Sequence, residues 1–62
     1  MMTLWNRFQR RLDRHILWPE CKKMADGDVT DARSIFMIHM TIDRAYRGWS
    51  DKKMIDYLRT LK

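Results

Sequence analysis

Apolar residues recur at helical spacing along almost the whole chain, and nowhere do they alternate with polar ones for long enough to make a strand. From Thr3, read as an N-cap, to Trp18, the residues Leu4, Trp5, Phe8, Leu12, His15 and Ile16 share one arc of a helical wheel, and Arg7, Arg10, Arg11 and Arg14 share another. Pro19 stops or kinks this helix and suits the first position of a second, short one reaching about Ala25. Asp26-Gly27-Asp28 reads as a turn. A third helix is predicted from Thr30, as N-cap, to about Arg47. Ala32, Ile35, Phe36, Ile38, His39, Ile42, Ala45, Tyr46 and Trp49 cover about half of its wheel, the pattern of a central helix packed on two sides, with Ile42 in the middle of the arc. Met37 and Met40 fall on or near its polar side. Gly48 is placed to end it in the left-handed region, and Ser50 to cap a fourth helix with Met54, Ile55, Tyr57, Leu58 and Leu61 inside. The expected fold is all-α: one domain over residues 1–62, a small compact bundle of three longer helices plus one short helix.

Size sharpens this picture. A 62-residue chain buries only about 60% of its unfolded surface, and its core alone rarely supplies more than roughly 3–5 kcal/mol. Domains this small often add a metal, a disulfide or a partner. One cysteine excludes an internal disulfide and suits a reducing compartment, so a cytoplasmic location is expected. The longest apolar runs fall far short of the ~20 residues of a membrane span, and no signal peptide is seen. No membrane association is expected.

Thirteen Lys and Arg face eight Asp and Glu, a net charge of +5. The excess is uneven: residues 1–23 hold six basic and two acidic residues, the rest seven against six. An arginine stripe at positions 7, 11 and 14, with Arg10 beside it, suits bidentate contact with carboxylates or phosphates. A solvated helix face is the plainer reading of such a run. Asp13 lies off the stripe and does not neutralise it. Trp5 and Trp18 flank the stripe, and exposed Trp or Met there marks a protein interface, although both types also fill small cores.

Both histidines and the cysteine fall where a helical reading points inward. His39 and Asp43 stand at i, i+4, and a corner at Trp18-Pro19 would bring His15 and Cys21 together. His15, Cys21, His39 and Asp43 could therefore hold one zinc-like ion. The alternative is a hydrogen-bonded cluster with no cofactor: His39 to Asp43, Asp43 to Arg47, His15 to a carbonyl, and Cys21 as a small hydrophobe. No catalytic residue is assigned. A chain this short has little room for a pocket of ~300 Å³ or more, so neither an enzyme nor a small-molecule substrate is expected. Residues 48–58 look like the first half of a helix-turn-helix, but the sequence stops before a recognition helix would follow.

The run His15-Ile16-Leu17-Trp18-Pro19-Glu20-Cys21-Lys22-Lys23-Met24-Ala25, with Asp31-Ala32-Arg33 and His39 followed by Asp43-Arg44-Ala45, resembles short reading frames of tailed phages and prophages. The resemblance covers about residues 12–47. It implies a phage accessory protein acting inside a bacterium, carries no assigned activity, and transfers no functional residue. Together these readings give a non-enzymatic binding protein that docks on a host macromolecule. Arg7, Arg10, Arg11, Arg14 and Trp18 form part of its contact surface. A host protein with an acidic face is the first expected partner, a DNA or RNA backbone the second, and a metal staple is compatible with either.

Overall fold

The computed structural model describes residues 4–62; Thr3, the expected first N-cap, lies outside them. The described chain is all-α, with α1 (Leu4–Leu12), a π-helical turn (Asp13–Leu17), α2 (Trp18–Met24), α3 (Val29–Ile42), a 3-10 turn (Arg44–Tyr46) and α4 (Asp51–Arg59).

The expected corner at Trp18-Pro19 does not form. Leu12 and Leu17 keep right-handed helical dihedrals, so α1, the π turn and α2 make one continuous helix. A proline inside a regular helix lacks its N–H and crowds the carbonyl four residues back. Here the preceding turn is wider: the Trp18 N–H bonds to Asp13 O, five residues earlier. The helix therefore passes Pro19 without breaking. Residues 4–24 span roughly 31 Å at ~1.5 Å per residue, close to the 36 Å long dimension of the molecule.

The turn after α2 forms where expected, while both ends of α3 differ from expectation for local reasons. Asp26, not a glycine, takes the first left-handed position after α2, and Gly27 N–H closes back on Lys22 O at 2.8 Å. Asp28 caps α3, accepting from the N–H of Thr30 at 2.9 Å and of Asp31 at 3.2 Å, so Thr30 is already inside the helix. α3 stops at Ile42 rather than near Arg47, because Asp43 turns extended and its carboxylate accepts the Ala45 N–H at 2.8 Å. Gly48 does adopt positive φ, and Ser50 caps α4 as predicted.

α3 packs on α2, α4 and the 3-10 turn, so it is central. Its buried stripe is Ala32, Phe36 and Met40; Ile38 and Ile42 face solvent, Ile42 at 78% exposure. The break at Asp43 explains the change: Ala45 and Tyr46 enter the core from a separate turn, and Met40, not Ile42, faces them. Phe36 lies among Trp18, Tyr46 and Tyr57, and Met54, Leu58 and Leu61 close the core from α4 and the residues after it, while Ile55 stays exposed. Arg33 donates to Leu58 O and Leu61 O, both at 3.1 Å, and satisfies the carbonyls at the end of α4. Among the described residues no helix is long and apolar enough to cross a membrane.

Candidate functional site

Two features stand out: the outer surface of α1 and a polar cluster beneath it. α1 is amphipathic, but its faces are inverted. No α1 residue is buried. The side turned toward the body carries Asn6, Gln9 and Arg10, all half-buried, and leads into buried Asp13 and then Leu17 and Cys21. Most of the apolar arc points outward, with Leu4 83%, Trp5 66% and Phe8 51% exposed, while Leu12 is half-buried. The Trp5 and Phe8 rings lie 6.0 Å apart.

The four arginines divide into two pairs. Arg10 donates to Ala45 O at 3.1 Å and stands 5.4 Å from the Trp49 ring centre. Arg14 bonds to the Thr60 hydroxyl and lies 5.3 Å from the Tyr57 ring centre. These two clamp the long helix to the C-terminal part of the bundle. Arg7 and Arg11 are exposed and, with Leu4 and Phe8, line a shallow cleft. Trp18 is not part of this surface. It is buried against Phe36, and its indole N–H donates to Lys62 O at 2.9 Å.

The proposed quartet of ligands does not assemble. His15 is exposed beside Arg11 and Arg14, because the helix runs straight where a corner was expected. Cys21 is 1% exposed in the apolar core, where burial first, then the charges of Asp13 and Glu20, push its thiol pKa up. His39 and Asp43 do meet, with Nε2 to Oδ2 at 2.9 Å. Their third companion is Asp13, whose Oδ2 is 3.2 Å from the same Nε2.

Asp13 is 3% exposed yet fully partnered. Its Oδ2 accepts the Tyr46 hydroxyl at 3.0 Å, and Gln9 Nε2 approaches its Oδ1 at 3.4 Å. Burial above all holds the Tyr46 phenol far above its ordinary pKa, with Tyr57 and Asp13 adding to the effect. Asp13 was legible only as the one acidic residue inside the basic run from Arg7 to Arg14, and as a member of the helical series Asn6, Gln9, Asp13, Leu17. Among the described residues, the expected ion pair from Asp43 to Arg47 does not form beside the His39–Asp43 pair. A cleft of about 380 Å³, lined by Trp5, Asn6, Gln9, Asp43, Arg44 and Ala45, opens beside the cluster, so the chain has more room for a pocket than its length led one to expect. No family model, curated protein or solved structure matches this chain.

Proposed function

We propose that the protein is a non-enzymatic binding module that seats α1 in an apolar, acid-rimmed groove of another protein. The observation that carries this reading is the inversion of α1. Three large apolar side chains, Leu4, Trp5 and Phe8, are left in water beside Arg7 and Arg11, although the same helix has a polar side that is turned inward. Exposing such a patch forgoes burial worth about 1.5–3 kcal/mol per large side chain, a sacrifice that a partner would recover. Aromatic anchors flanked by arginine are the composition of interface hot spots, and helix-in-groove docking uses anchors at this spacing.

A phosphate backbone would use Arg7 and Arg11 but offers nothing to the apolar anchors. An anionic bilayer is the competing surface for an apolar face flanked by arginines, and the vesicle arm of the test separates the two. On the resemblance to phage reading frames, the partner we propose is a protein of a bacterial host.

The test compares the wild type with Leu4→Ser/Phe8→Ser and with Arg7→Glu/Arg11→Glu, two pairs of exposed positions whose change leaves the core intact. Each is offered an immobilised library of purified host proteins, duplex DNA, RNA and anionic vesicles. An acidic protein bound by the wild type and lost by both double variants supports the reading. DNA or RNA binding that survives loss of the apolar anchors and falls with salt at a slope of roughly −2 would overturn it in favour of backbone binding. Vesicle binding that needs the anchors would overturn it in favour of a lipid surface.

A further inference from the structure

We infer that Asp13, His39 and Asp43 form a binding site for one divalent transition-metal ion of the zinc or manganese type. The inference is independent of how α1 is used and rests on the cluster beneath it. Nε2 of His39 faces two carboxylate oxygens, Asp43 Oδ2 at 2.9 Å and Asp13 Oδ2 at 3.2 Å. A ring nitrogen carries at most one hydrogen, so two anionic acceptors converge on a single proton. All three atoms lie within 4.8 Å of one another. Ligand atoms about 2.0–2.2 Å from a shared ion stand roughly 3–4 Å apart, so a small inward adjustment closes the group around one ion.

Charge favours the same reading. Two carboxylates and a neutral imidazole balance the charge of a dication. The donor set, one nitrogen and two oxygens without sulfur, suits the borderline ion Zn²⁺ or the harder Mn²⁺ rather than a soft ion such as Cu⁺.

The surroundings have the form of a shell that aims ligands. Asp43 Oδ1 is fixed by the Ala45 N–H at 2.8 Å, and Asp13 is held by Tyr46 and Gln9. Asp13 itself opens the π-helical turn, a rare geometry often found at functional sites. His39 and Asp43 retain 28% and 14% side-chain exposure, and the cleft beside Asp43 leaves an entry route and room for water ligands. These ligands would tie the long helix, through Asp13, to the end of α3, where His39 and the capping Asp43 stand before the 3-10 turn.

The experiment uses the full chain, stripped with a chelator and titrated separately with Zn²⁺ and Mn²⁺. One saturable ion per chain, with a melting temperature that rises with metal concentration, is the expected result. His39→Gln and Asp43→Asn should each weaken binding by at least about tenfold. His15→Ala and Cys21→Ser should leave it unchanged. Asp43→Asn keeps an oxygen for the Ala45 N–H, so it decides the matter if His39→Gln does not fold. X-ray absorption of the wild-type zinc complex supplies a readout free of mutation. A shell of nitrogen and oxygen supports the site; sulfur in the shell, absence of saturable binding, or binding indifferent to His39 and Asp43 would overturn it and leave a hydrogen-bonded network only.

Discussion

Phe36 is fully buried, and its ring meets those of Trp18, His39, Tyr46 and Tyr57 at centroid distances between 5.7 and 6.4 Å. Removing a ring from such a site leaves a cavity that its aromatic neighbours cannot collapse into. Phe36→Ala should therefore cost roughly 3–5 kcal/mol, comparable to the whole stability a core of this size provides. Ile42 gives the contrasting case. The sequence pattern puts it at the centre of the inner arc, yet it is 78% exposed. Ile42→Ala should change stability by no more than about 0.5 kcal/mol. Urea denaturation of the two variants measures both. A folded Phe36→Ala protein, or an unfolded Ile42→Ala protein, would contradict this packing. The residue-level pattern was readable for Ala32, Phe36, Leu58 and Leu61 because each repeats at helical spacing from a neighbour that is also buried, whereas Tyr46 is buried as expected but reaches the core from a separate turn. It misled at Ile42 and Met40 because a wheel drawn through Arg47 assumes a helix that Asp43 has already ended.

Elements were easier to place than their ends. The long N-terminal helix, α3 and α4 lie where periodicity places helices, and the Ser50 cap and the left-handed Gly48 follow from residue chemistry. The unbroken passage through Pro19 was not legible, because a π turn leaves no periodic mark in a single sequence and a proline ordinarily argues for a break. That one misreading also displaced His15, which needed the corner to reach the other ligands. The sequence reading caps α3 with Thr30, whereas the geometry gives that place to Asp28. Asp28 Oδ1 receives two backbone N–H groups, whereas the Thr30 side chain receives neither. Asp28→Ala should lower stability by about 1 kcal/mol, and Thr30→Ala by distinctly less. Paired thermal melts followed by circular dichroism check the order, and the reverse order would mean that α3 begins later than described.

At the scale of the whole molecule, one long helix carries an outward apolar surface at one end and supplies core and cluster residues through the rest. This division ties binding to stability only weakly, so the exposed end can change without loss of the fold. The buried titratable groups set a different limit, on the alkaline side. Burial raises the Cys21 thiol above its ordinary pKa, with Asp13 and Glu20 adding to the shift, and raises the Tyr46 phenol in the same direction. Both groups are neutral when protonated, so the folded state holds its protons more tightly than the unfolded chain does. Stability is then at its full value below the unfolded pKa values, about 8.5 for Cys and about 10 for Tyr, and falls as pH climbs beyond them. Urea denaturation of chelator-treated protein should show a constant midpoint from pH 7 to about 8, a decline beginning near 8.5, and a steeper one above about 10. Cys21→Ala should abolish the first decline and keep the second. A wild-type midpoint that stays level through pH 11, or one that rises, would show that Cys21 and Tyr46 are far less enclosed than their place beside Phe36 and Asp13 requires.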